Sequence, residues 1–454
     1  MAQPRKSIHG HWSSRWAFIL AATGSAVGLG NVWRFPYITG ENGGGAFVLI
    51  YLLCVAIIGI PIMMAEIMLG RRGRQNPVNT MRTLAAESGA KGIWAVLGVL
   101  GLLSGFFILS FYSVIAGWTL AYVFRAGSEM FTNATADGVN AIFAGLTDDP
   151  ERVLAWHTIF MVMTMVVVSR GVRSGLEQAV RFLMPALFVL LLVLVGYAMN
   201  TGFFQQGAEF MFRPDFSRVT ATGVLTAMGQ AFFSLSIGMG AIMIYGSYLP
   251  ERASIARSTI AIAAADTVVA LLAGLAIFPV VFANGLAPAQ GPGLIFQTLP
   301  LAFGHMPWGR MFGVLFFLLL VFAAWTSAIS LVEPLVTWLV EIRGMTRIKA
   351  AAWAGIATWL LGVANVLSFN QWSDVTLFGQ TIFGILDFLT SNVMLPVGGL
   401  LIALFAGWVM KREASEEELA LRPVLYDAWY FLIRFVTPVG VLLILLHAMG
   451  FLKE

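Results

Sequence analysis

Eleven long apolar runs joined by short polar loops leave this chain few ways to fold. They lie at about 14–38, 44–70, 92–126, 153–169, 176–199, 220–248, 254–284, 308–342, 350–367, 376–410 and 424–450. Most approach or exceed the ~20 residues that carry a helix across a hydrocarbon core. Backbone amides and carbonyls in lipid must be satisfied within the protein, so the runs predict an all-α integral membrane protein of about eleven spans. Of the 454 residues 59% are hydrophobic and 11% charged, which excludes a soluble domain. The basic residues are one-sided. Arg5 and Lys6 precede span one, and Arg71, Arg72, Arg74, Arg82 and Lys91 lie between spans two and three. Arg170 and Arg173 follow span four, Arg252 and Arg257 span six, Arg343, Arg347 and Lys349 span eight, and Lys411 and Arg412 span ten. Alternate loops are poor in Lys and Arg or, like Asp137 to Glu151, acidic. The positive-inside rule then puts the N-terminus in the cytoplasm and the C-terminus outside.

Other function classes fall away. The net charge of +4 is spread over loops, so nothing points to nucleic acid. Cys54 is the single cysteine and excludes a disulfide framework. The five histidines show no metal-ligand spacing, and no Ser-His-Asp set lies at membrane depth, so no enzyme is expected. The apolar run behind Arg5 and Lys6 is too long, and too marked by Gly, Asn and Arg, for a cleaved signal peptide. Asn133-Ala134-Thr135 reads as a chance sequon. Asn284 to Pro307, rich in Gly and Pro, is expected as a long outer loop able to dip back as a lid, and Glu413 to Glu418 as a solvated cytoplasmic turn.

Two spans are interrupted. In span one, Ala22 to Pro36 reads A-T-G-S-A-V-G-L-G-N-V-W-R-F-P, with Gly24, Gly28, Gly30 and Pro36 weakening the helix and Asn31 and Arg34 at membrane depth. Alone, this is either a glycine-rich packing face or a broken helix whose freed carbonyls bind a cation and a polar solute. Span six repeats the pattern in G-Q-A-F-F-S-L-S-I-G-M-G, from Gly229 to Gly240. Spans one and six open two five-span sets, and interrupted helices at matching positions of two halves point to a transporter's binding site. Five is odd, so the second set enters from the opposite side and the repeats are inverted. The expected organisation is a cytoplasmic tail (1–13), a first repeat (14–199), a second repeat (200–410), and a turn with span eleven (411–454).

These stretches, with E-N-G-G-G-A-F after Gly40 and A-A-W-T-S-A-I-S from Ala323, resemble the neurotransmitter:sodium symporters, collinearly from about His11 to span eleven. Ending after span eleven, the chain is similar to the shorter bacterial branch, the leucine and tryptophan transporters. The resemblance implies a bacterial inner membrane and a leucine-transporter-like fold with broken helices 1 and 6. It also implies one or two sodium ions and an amino-acid substrate, in a monomer or homodimer within the lipid bilayer.

By resemblance one sodium is held by carbonyls of Gly24, Val27 and Ala323 with the hydroxyls of Thr326 and Ser327. The other is held by the Ala26 carbonyl, Asn31, Ser234 and the substrate carboxylate, and the family's remaining Asn ligand is here Asp266. A Ser one turn on, which helps bind chloride in chloride-dependent relatives, is here Ala270. Asp266 can supply that negative charge itself, so chloride is not expected to be required. The substrate carboxylate is expected at the span-one amides around Gly28 and at Tyr112, and its amino group at carbonyls near Ala26 and Phe233. Candidate side-chain contacts are Val27, Ile108, Phe233, Ser236, Met239, Ala328 and Leu331, with Ser234 and Ser327 at the edge. None is charged, which suits an apolar or aromatic L-amino acid. Arg34 and Asp387 are expected to pair as an outer gate above Phe233 and Tyr112. Inside, Glu341 is expected to pair with Arg5 or Lys6, since His9 occupies the family's Arg position, with Tyr248 close by and Trp12 as a plug. The expected function is sodium-coupled symport by alternating access; an amine or betaine substrate is the alternative within transporters, and a passive channel the rival class.

Overall fold

The computed structural model describes residues 8–288 and 293–451. Nine helices among them are long and apolar enough to cross a membrane singly: Gly45–Gly73, Gly92–Gly127, Pro150–Ser169, Val172–Met199, Ile255–Ala283, Gly309–Arg343, Arg347–Leu367, Ile382–Val409 and Pro423–Ala448. These are spans two to five and seven to eleven. Span one is the pair Arg15–Ala26 and Gly30–Glu41, bent by 51°. Span six is divided between Ala221–Ser234 and Ala241–Ser247. Side chains start many of the helices: Ser14 accepts from the Ala17 amide and Thr220 from the Gly223 amide, satisfying donors that a first turn leaves open.

Both interrupted helices are broken where the sequence places Gly and Ser. The break in span six runs through left-handed backbone at Ser236 (φ 53°), Gly238 (φ 84°) and Gly240 (φ 75°). Gly238 is needed twice over, because a Cβ there would also lie 2.6 Å from the Leu395 carbonyl of span ten.

Several loops differ from expectation. The Asn284–Pro307 loop is helical at Leu294–Thr298 and Leu299–His305, and packs against spans seven and eight; residues 289–292 lie outside the described part. The acidic run at 413–418 is solvated, with Glu413, Glu416 and Glu417 exposed, but it is not a turn. It lies in a helix, Arg412–Leu419, docked on the end of span two by Glu418–Arg71 (2.9 Å) and Glu417–Arg72 (3.2 Å). Spacing alone could not show that acids eight spans away in sequence face those arginines.

Candidate functional site

Breaking span one after Ala26 frees backbone groups in the middle of the protein, and several find specific partners. The carbonyls of Gly24, Ser25 and Val27 surround the Ser327 hydroxyl at 3.4, 3.2 and 3.1 Å. The Ser25 carbonyl also accepts from Ser236 (2.8 Å), so the two broken helices meet there. The Gly28 amide donates to Asn31 Oδ1 (3.1 Å) and the Leu29 amide to the Tyr112 hydroxyl (3.3 Å). Gly28 admits no side chain, since a Cβ would lie 2.5 Å from Ser327 Oγ and 2.9 Å from Tyr112 Oη.

The first expected sodium set is therefore gathered into one oxygen-rich spot. Gly24 and Val27 approach Ser327, and Thr326 lies behind Gly24, 3.2 Å from the position of a Cβ there. The Thr326 hydroxyl donates into its own helix, to the carbonyls of Phe322 (3.2 Å) and Ala323 (3.1 Å).

The second set is gathered too, with one reversal. Asn31 presents its nitrogen, not its oxygen, to Asp266 Oδ1 (2.7 Å), the Asp266 carbonyl (3.1 Å) and Ser234 Oγ (3.1 Å). The Gly28 amide can only donate and occupies the Asn31 oxygen, which leaves the nitrogen for Asp266 and Ser234. Ser234 donates to the other Asp266 oxygen, and Tyr51 lies 3.2 Å from Ser234. Tyr51 carries no sequence signal, since aromatics are frequent in apolar spans.

Above these oxygens lies a cavity of about 30 Å³, lined by Ala26, Gly28, Ile108, Tyr112, Phe233, Ser236, Met239, Ser327 and Leu331, and also by Ser25, Leu29 and Gly30. Val27 and Ala328 are buried but not among its lining. A second cavity, about 90 Å³, lies beyond Phe233 and Tyr112, which line both. Arg34 and Asp387 line this outer cavity but make no ion pair. The Arg34 guanidinium lies 4.7 Å over the Phe233 ring, and Asp387 accepts from Ser391 (3.1 Å). A cation over an aromatic face gains electrostatic attraction without a carboxylate partner.

The opposite side of the site is closed by the N-terminal tail. Trp12 is buried between Tyr245 and Tyr248 (ring centroids 5.3 and 5.9 Å), its indole donating to the Tyr245 carbonyl (3.1 Å). Arg5 lies outside the described residues. His9 itself meets Glu341 (2.9 Å), which also accepts from the Asn76 amide (2.7 Å) and the side chains of Asn76 and Asn79. Tyr248 is not bound to Glu341; it donates to Glu333 (2.8 Å), which is paired with Arg347 (2.5 Å). Close to the tail, partial burial and then the charges of Arg74 and Arg173 hold His11 below the ordinary imidazole value.

Two further acids had a legible signal that the sequence reading did not use. Glu66 and Glu333 are both fully buried within apolar spans, where an acid is costly unless partnered. Glu66 receives the Gly238 (3.1 Å) and Met243 (3.3 Å) amides and so holds the break in span six.

Residues 9–138 and 145–453 match the model of the sodium:neurotransmitter symporter family. The chain belongs to that family. An uncharacterized sodium-dependent transporter of Bacillus subtilis, YhdH, is 38% identical over 97% of this chain and 98% of its own length. Another, from Haemophilus influenzae, is 34% identical over 95% and 96%. The crystal structure of MhsT in complex with L-phenylalanine superposes with a TM-score of 0.89 at 43% identity, covering 97% of this chain and 99% of that one. This symporter-family protein is a sodium-dependent, multi-pass membrane transporter and not an enzyme.

Proposed function

We propose that this transporter imports an apolar or aromatic L-amino acid with sodium, by alternating access and without a chloride requirement. The observation that carries the substrate class is the central cavity. Ile108, Phe233, Met239 and Leu331 line it with no charged side chain, beside the Leu29 amide and Tyr112 hydroxyl suited to a carboxylate. The L-phenylalanine in the related MhsT structure supports the same class. At about 30 Å³ the cavity is far below the ~300 Å³ of common ligand sites, so the lining must part to admit substrate. Met239 has the flexibility for that.

Gly24, Val27, Ala323, Thr326 and Ser327 hold one sodium, with Thr326 turning from its own helix. Ala26, Asn31, Ser234, Asp266 and the substrate carboxylate hold the other, with Asn31 turning its amide over. Asp266 supplies the fixed negative charge, which makes chloride unnecessary; a proton taken up there after sodium leaves would carry charge back. Each sodium entering down 100 mV contributes about 2.3 kcal/mol. Two support an accumulation above about a thousandfold. Phe233, Tyr112, Arg34 and Asp387 form the outer gate, and Trp12, His9, Glu341 and Tyr248 the inner one. Spans 1, 2, 6 and 7, drawn from both inverted repeats (14–199 and 200–410), move as a four-helix bundle against the remaining scaffold, with the N-terminus cytoplasmic and the C-terminus outside a bacterial inner membrane. The site lies within one chain, so a monomer suffices.

The test is competition by the amino acids, and by betaine, against radiolabelled phenylalanine in proteoliposomes, with sodium or chloride replaced in turn. Leucine and tryptophan should compete, while lysine and glutamate should not, because an unpaired buried charge costs several kcal/mol. Strong competition by glutamate or betaine, or uptake lost without chloride, overturns the reading.

A further inference from the structure

A larger cavity, about 380 Å³, lies away from the transport site, on the outer flank of spans four and nine. Met161, Met165 and Val166 line it from span four, and Ile348, Ala352 and Gly355 from span nine. Val162, Ile348 and Ile356 beside it are at least half exposed, as lipid-facing side chains are. Small residues on span nine make the depth, and Trp359 closes the membrane-centre end by donating to Thr158 (2.8 Å). From Thr158 to Ser169 the groove runs about 16 Å along span four. That is the depth of one leaflet, half of a ~30 Å hydrocarbon core.

The other end of the groove opens at Ser169 and Ile348. There Arg347 donates to the Val168 carbonyl (2.8 Å), so the last turn of span four lies against the first of span nine. Arg347 is neutralised by Glu333, but Arg170 and Lys349, next to the two lining residues, are exposed. Arg173, three residues on, donates to the His11 carbonyl, which puts this mouth on the side of the N-terminal tail. A groove one leaflet deep and apolar between Thr158 and Ser169 at its ends, with two exposed cations at its mouth, has the chemistry of a phospholipid's two ends.

We propose that this groove seats one acyl chain of an anionic phospholipid from the tail-side leaflet, its phosphate headgroup held at Arg170 and Lys349. The site bridges the tail-side ends of spans four and nine, and span nine is tied through Arg347 and Glu333 to Tyr248 of the inner gate. The lipid therefore sits where it can steady that end of the protein.

The full-length protein in detergent would be titrated with palmitoyl-oleoyl phosphatidylglycerol or phosphatidylcholine and examined by native mass spectrometry. Wild type should retain one phosphatidylglycerol per chain, at least about tenfold in preference to phosphatidylcholine. Each basic residue near an anionic headgroup contributes about fivefold, so R170Q with K349Q should weaken retention roughly 25-fold. A352W, at an exposed position, fills the groove and should abolish retention while the protein stays monodisperse and still transports. Equal retention of the two lipids, retention unchanged in A352W, or a wild-type dimer that A352W separates would overturn the proposal, the last by showing a second copy in the groove.

Discussion

Asp266→Asn isolates one charge at the transport site with little change of shape. Asp266 is fully buried, takes the Asn31 amide on one oxygen (2.7 Å) and the Ser234 hydroxyl on the other. In the variant the amide oxygen keeps the Asn31 bond. The new amide nitrogen faces Ser234, which can turn to accept it and point its own hydrogen at Tyr51, 3.2 Å away. The network reverses at Ser234, and the near-identical shape of Asn leaves the packing unchanged, so the fold should survive with at most the small cost of one amide hydrogen seeking a new acceptor. Sodium binding should not. Unit charges 4 Å apart attract by about 4 kcal/mol at an effective permittivity of ~20, and an amide oxygen recovers part of that. A net loss of about 2 kcal/mol corresponds to roughly thirtyfold weaker sodium affinity. The assay is equilibrium binding of radiolabelled phenylalanine against sodium, with choline as the replacing cation. Adding Ala270→Ser, at a buried position one turn along the same helix, should recover function only when chloride is present. Sodium affinity unchanged in the single variant, or a double variant indifferent to chloride, would refute the charge-replacement argument and leave Asp266 a structural hydrogen-bonding residue.

Thr326→Val with Ser327→Ala keeps approximate volume but removes two hydroxyls from the carbonyl cluster of span one, so substrate binding should lose its sodium dependence in a protein that still elutes as folded; an unchanged sodium response rejects that ion site. Gly28→Ala brings a methyl to 2.5 Å from Ser327 Oγ and 2.9 Å from Tyr112 Oη. Overpacking of this kind costs about 1–3 kcal/mol, so phenylalanine affinity should fall about 5- to 150-fold by the same binding assay, and near-normal affinity would show that Gly28 does not border the substrate.

The apolar runs alone determined an all-helical membrane protein, because lipid offers the backbone no other partner. Gly and Ser in mid-span marked both breaks for the same reason: a freed amide or carbonyl needs a cavity or a side chain, and the sequence places Ser327, Asn31 and Tyr112 to serve. What the runs could not carry was pairing across the bundle. His9 with Glu341, Tyr248 with Glu333 and Arg347, and Glu66 with the Gly238 amide join residues separated by hundreds of positions or by whole spans. Local periodicity contains no information about which spans touch. The orientation of Asn31 is of the same kind. Either end of its amide fits the motif; the Gly28 amide, freed by the break, takes the oxygen, and the Asp266 side chain and carbonyl, brought across from span seven, take the nitrogen. Arg34 settled over Phe233 and not on Asp387 because the two broken spans set the ring beneath it, a placement that packing decides and charge pattern does not.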